Sequence, residues 1–154
     1  MKLPFNNKSK SKIKKKNVLF VCVENAGRSQ MAEGFFRKYA QDDYEPISAG
    51  TIPKSQINPL AAEAMREIGI DISNQKPKEL SEEMIRNAYK IINMGCMDKN
   101  FCPTLFVPKV LDWGIEDPRG KPIEKVREIR DEIERKIKEM VKEIGKEKYE
   151  TVDL

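Results

Sequence analysis

The 154-residue sequence predicts an α/β fold, a mostly parallel sheet covered by helices on both faces. Three observations predict it. Short apolar runs alternate along the chain with segments of helical period. The first run, Asn17 to Cys22, is apolar without alternation, as a strand buried on both faces must be. The closing segment places apolar residues at 123, 126, 129, 133, 137, 140, 141 and 144, a stripe of helical period.

Asn17 to Cys22 is the first strand, and a short polar loop follows it. Ser29 to Ala40 is a helix with Met31, Phe35, Phe36 and Tyr39 on one face and Ser29 placed to cap it. Residues 44–49 form the second strand, ended by Gly50. Asn58 to Ile68 is helical: Pro59 fits the first turn, Leu60, Ala64 and Ile68 share a face, and Gly69 stops it. Ser81 begins a short helix that leads into a strand from Tyr89 to Met94. Lys109 to Asp112 is a fourth, shorter strand. Pro122 opens the last helix, which Gly145 is expected to end. No internal repeat or second domain is visible.

Composition narrows the function. An apolar share of 39% with 35% charged residues describes a soluble globular chain. No apolar run approaches bilayer length, and the lysine-rich start lacks a signal peptide's apolar core, so a cytoplasmic location is expected. Three cysteines in such a chain do not make a disulfide framework. The sequence has no histidine, which removes Ser-His and Cys-His hydrolases and His-ligated zinc. Neither a metal nor a cofactor is expected. The net charge of +4 belongs to a tail: without the seven lysines of residues 1–16, 22 basic residues face 25 acidic ones, a net of −3. Residues 1–16 therefore read as a basic disordered tail rather than a nucleic-acid surface, and 17–154 as one catalytic domain.

In a parallel sheet the ligand sits beyond the carboxyl ends of the strands. Cys22 closes the first strand, Cys96 follows the third, and Asp117 lies past the fourth, all on that edge. The loop Cys22-Val23-Glu24-Asn25-Ala26-Gly27-Arg28-Ser29 joins a buried strand to a helix. Its main-chain N–H groups and the helix dipole favour an anion. Arg28 adds a planar fork for two oxygens of phosphate or arsenate. The same field, with a hydrogen bond from Ser29, stabilises a thiolate at Cys22. The plain alternative is a buried cysteine ending a strand and a solvated arginine opening a helix. The position of the motif outweighs it.

Val18-Leu-Phe-Val-Cys-Val-Glu-Asn-Ala-Gly-Arg-Ser-Gln-Met-Ala-Glu-Gly34 resembles the active-site segment of the low-molecular-weight protein tyrosine phosphatase superfamily. Arg28-Ser-Gln-Met-Ala-Glu33 is closest to its thioredoxin-coupled arsenate reductase branch. Ser48-Ala-Gly-Thr51, Asn58 to Met65, Gly69-Ile-Asp-Ile-Ser73, Met94-Gly-Cys96 and Asp112 to Pro118 resemble that branch in the same order. The resemblance implies a three-layer fold with a four-stranded parallel sheet of order 2-1-3-4. It also implies that Asn25 braces the loop and that Asp117 is the general acid, where Asp-Pro alone reads as a turn. Glu24 departs from the pattern, since many relatives carry glycine there. It is expected to point outward, leaving only its N–H to the ligand.

Two features separate reductase from hydrolase. Cys96 and Cys102 flank a polar loop, and the resemblance implies a relay from Cys22 through Cys96 to Cys102, reset by thioredoxin or another dithiol. Their alternative is burial as small hydrophobes. Phosphatases of this fold usually place aromatic residues after Asp-Pro, whereas here Arg119-Gly120-Lys121 follow, which suits a small inorganic oxyanion. Arsenate reduction, as in arsenic detoxification, is the expected activity, and phosphomonoester hydrolysis through a Cys22 phosphocysteine is the alternative. Trp113, Met94 and Met97 are expected to serve packing.

Overall fold

The computed structural model describes residues 14–95 and 110–152. Four strands, β1 (Lys16–Cys22), β2 (Tyr44–Gly50), β3 (Ala88–Asn93) and β4 (Val110–Asp112), form one sheet of order β2-β1-β3-β4. Every neighbouring pair is parallel. The helices are α1 (Arg28–Tyr39), α2 (Pro59–Arg66), α3 (Glu82–Asn87) and α4 (Ile123–Val152). β1 takes in Lys16, one residue before the boundary drawn from sequence, and Lys16 Nζ lies 4.7 Å from the Tyr89 ring centroid. Among the described residues no helix is long and apolar enough to cross a membrane.

The central strand sorts its side chains by parity. Val18, Phe20 and Cys22 enter the larger core with Met31, Phe35 and Phe36 of α1 and Ile129, Ile133 and Ile137 of α4. Leu19 and Val21 turn to the other face, against Ile85 of α3 and Ile91. Helices thus cover both faces, with α1, α2 and α4 on the larger. Trp113 packs on Phe20 at 6.2 Å between centroids, and Met94 is fully buried, so both serve the core as expected.

Three local expectations fail. Ser29 does not cap α1: Gly27 stands at that position with no side-chain cap bond, and the Ser29 hydroxyl is engaged at Cys22. The buried face of α2 is Ala61, Ala64 and Met65, so of the expected face Ala64 is buried and Ile68 packs on the core while Leu60 is only half-buried. Gly145 does not end α4. The glycine costs about 1 kcal/mol against alanine, but the tertiary contacts of the next turn offset it. Tyr89 donates to Glu147 at 2.8 Å and Lys90 pairs with it at 3.4 Å.

Candidate active site

β1 delivers Cys22, 2% exposed, to the carboxyl edge of the sheet, and α1 begins six residues later. The intervening carbonyls face away from the site. Those of Val23, Glu24 and Ala26 accept N–H bonds from Ile52, Lys54 and Asn58 at 2.8, 3.0 and 2.8 Å. In a trans peptide the next residue's N–H points the opposite way. The N–H groups of Glu24, Asn25 and Gly27 therefore face inward, and that of Asn25 reaches Cys22 Sγ at 3.2 Å. β2 can run this close only because residue 50 is glycine: a Cβ there would stand 2.5 Å from the Val23 oxygen.

Asn25 has φ 52°, in the left-handed region that asparagine tolerates better than most residues. Its side chain locks the turn. Oδ1 accepts from the Lys78 N–H at 2.8 Å and from Gln30 Nε2 at 3.0 Å, so Nδ2 faces Ser29 Oγ at 2.7 Å. Ser29 Oγ already accepts that bond, which frees its proton for Cys22 Sγ, 2.9 Å away. Gln75 orients Gln30 in turn, donating to its Oε1 at 2.8 Å.

The Arg28 side chain is 4% exposed; its Nη1 donates to the Ile115 carbonyl at 2.8 Å, and its Nη2 lies 3.6 Å from Asp117 Oδ2. Gly95, at φ 119°, passes so close that a Cβ there would lie 2.9 Å from the Ile115 oxygen and 3.3 Å from Arg28 Nη1. Asp117 is held by the Arg119 N–H at 3.0 Å. At the loop lies a pocket of about 530 Å³, lined also by residues 54–59 and 117–119. Glu24 turns its carboxylate to the rim, where Arg119 and Lys54 pair with it at 2.6 and 3.3 Å.

Cys22, Arg28 and Asp117 thus line one pocket, together with Val23, Glu24, Ala26 and Gly27. Cys96 and Cys102 lie outside the described residues, as does Met97. Sequence reasoning missed Gln30, Gln75, the Lys78 N–H and the Ile115 carbonyl, all of which hold the loop or its arginine. Gln30 carried a signal, being a polar residue in the first turn of a helix whose neighbours are core. The other three are contacts between distant segments and leave no local mark.

A cysteine at the tip of a central parallel strand, with main-chain N–H groups and a buried arginine around it, is the arrangement of a thiol-dependent enzyme. The chain belongs to the low molecular weight phosphotyrosine protein phosphatase family, whose model matches residues 17–150. An arsenate reductase of Staphylococcus aureus is 41% identical over 121 residues, covering 77% of this chain and 91% of the relative. The arginine phosphatase YwlE of Geobacillus stearothermophilus superposes with a TM-score of 0.80 at 28% identity, covering 88% of this chain and 96% of that one. A thioredoxin-dependent arsenate reductase of Corynebacterium glutamicum gives a TM-score of 0.73 at 39% identity, covering 90% of this chain and 66% of that one.

Proposed function

We propose that the chain is an arsenate reductase working through a Cys22 adduct and a Cys22, Cys96, Cys102 disulfide relay. The observation that carries the reading is the buried Cys22 sulfur, held between the Ser29 hydroxyl and the Asn25 N–H at the base of the Arg28 pocket. Similarity to arsenate reductases at 41% and 39% identity supports arsenate as the oxyanion.

The Cys22 thiolate attacks arsenic while Arg28 and the inward N–H groups of the loop hold the remaining oxygens. An arsenate hydroxyl takes a proton from Asp117 and departs as water, leaving a pentavalent arsenic–sulfur adduct. The Cys96 thiolate then attacks Cys22 Sγ. A disulfide forms, the sulfur–arsenic electron pair stays on arsenic, and trivalent arsenite leaves. Cys102 attacks this disulfide at Cys96, freeing Cys22 and giving Cys96–Cys102. Thioredoxin or another dithiol protein supplies the two electrons that restore the thiols.

Arsenate-dependent consumption of reducing equivalents tests the activity, and no turnover with any dithiol donor rejects it. Cys102→Ser should complete one turnover and then stall, whereas an unchanged steady-state rate contradicts the relay.

Hydrolysis of phosphomonoesters is the second reading. It is favoured by the likeness to an arginine phosphatase, and Asp117, 3.6 Å from Arg28, would serve either reaction as the acid. Ester hydrolysis indifferent to serine at 96 and 102 would select it.

A further inference from the structure

A loop of inward N–H groups and one arginine treats arsenate, phosphate and the phosphoryl end of an ester alike. Selection among them must come from what surrounds the bound oxyanion. Glu24 is placed to supply it. Its two carboxylate oxygens go to two separate segments that line the pocket: Oε1 takes Arg119 Nη1 at 2.6 Å and Oε2 takes Lys54 Nζ at 3.3 Å. The Glu24 side chain is only 18% exposed although both of its partners are well exposed. Arg119 is also tied to Asp117, donating its N–H to Oδ1 at 3.0 Å and bringing its Nε to 3.9 Å from Oδ2.

We infer that Glu24, Arg119 and Lys54 form an ionic strap across the pocket rim that restricts the site to small inorganic oxyanions and excludes phosphoesters. The inference rests on the reading of Cys22 as an oxyanion-directed nucleophile. The leaving oxygen departs on the Asp117 side, where the proton is. An organic group attached to that oxygen has to occupy the space beside Arg119, which Glu24 holds in place. Arsenate and phosphate carry nothing there and leave the strap closed. The two cations also offset the charge of Glu24, so a carboxylate in the oxyanion loop coexists with an anion site.

Two consequences differ in sign and make the test selective. Wild type, Glu24→Ala, Arg119→Ala and the double variant are compared in aryl phosphate hydrolysis and in inhibition by inorganic phosphate. Each single variant should raise kcat/KM for the aryl phosphate roughly tenfold, the scale of one pocket contact. The double variant should gain no more than either, because both open the same strap. Phosphate inhibition should weaken in Arg119→Ala, where Glu24 loses a neutralising partner, and recover when Glu24→Ala is added. A damaged loop would instead leave the double variant the weakest binder. Should Glu24→Ala not fold, Glu24→Gln keeps the volume, loses the charge and is read the same way. Ester hydrolysis that stays unchanged in folded single variants overturns the strap, as does efficient aryl phosphate turnover by wild type. Arsenate reduction by wild type is scored separately. Its absence, with ester hydrolysis rising in the variants, would reject the reductase reading and leave the strap standing.

Discussion

Arg28 carries two duties that lysine cannot share. One arm of its fork is spent on the Ile115 carbonyl at 2.8 Å, which fixes the plane of the guanidinium. The other lies 3.6 Å from Asp117 Oδ2, where the proposed mechanism has it meet the oxyanion. Lysine offers a point charge on a flexible stem and no second fixed donor. Arg28→Lys should therefore leave the Ile115 oxygen short of a partner and misplace the charge. A fall in kcat/KM of about 100-fold is expected, the scale seen when one oxyanion donor is removed, roughly 3 kcal/mol. Protection of Cys22 from alkylation by phosphate should weaken in parallel. Protection and turnover at wild-type levels would mean that the fork is not what binds. The loop from Cys22 to Ser29 was legible in the sequence because the thiol, the arginine and the helix start share eight consecutive residues. The amides that brace it were not: Gln75 meets Gln30 across 45 residues, and nothing near either one announces the contact.

At the scale of elements, α2 shows why some boundaries could be read and others could not. Asn58 caps it, accepting from the Leu60 and Ala61 N–H groups at 2.9 and 3.4 Å, and Pro59 opens its first turn. At the other end Gly69 adopts φ 84°, and the Ile70 N–H returns to the Met65 carbonyl at 3.0 Å. Both signals act within a few residues, so sequence suffices. Gly145 carries the same letter as Gly69 but keeps helical geometry, because Glu147 is held from β3. The stop signal lost to a tertiary contact. Ser29 failed as a cap for a related reason: its hydroxyl serves the thiol instead. The α2 cap also matters to the site, since Asn58 and Pro59 form part of the pocket wall and the Asn58 N–H holds the Ala26 carbonyl at 2.8 Å. Asn58→Ala should cost about 1 kcal/mol and lower Tm by about 2–4 °C in a domain of this size. A thermal scan checks this, and an unchanged Tm would show that the cap contributes nothing net.

For the molecule as a whole, α4 is the element that binds the larger face together. It packs on α1 and α2 through Ile129, Ile133 and Ile137, and two tyrosines moor its polar flank. Tyr39 donates to Glu134 at 2.6 Å and Tyr89 to Glu147 at 2.8 Å. The bond to Glu134, with burial and the carboxylate charge, raises the Tyr39 pKa to about 12. Burial, and then the bond to Glu147, raises that of Tyr89 to about 12. Both groups titrate near 10 in an unfolded chain. Between these values the folded protein holds protons that the unfolded chain has released, so stability falls as pH rises there. The contribution is complete below about pH 10 and is lost as pH passes about 12. Thermal midpoints should therefore drop through that window, with tyrosinate absorbance appearing late in the folded protein. Glu134→Gln keeps an acceptor for Tyr39 but removes the charge that opposes ionisation, so its Tyr39 should titrate earlier and its alkaline loss of Tm should be shallower. Superimposable Tm–pH curves for wild type and Glu134→Gln would show that the Tyr39 mooring does not couple to folding, leaving the apolar stripe and the Tyr89–Glu147 bond to hold α4.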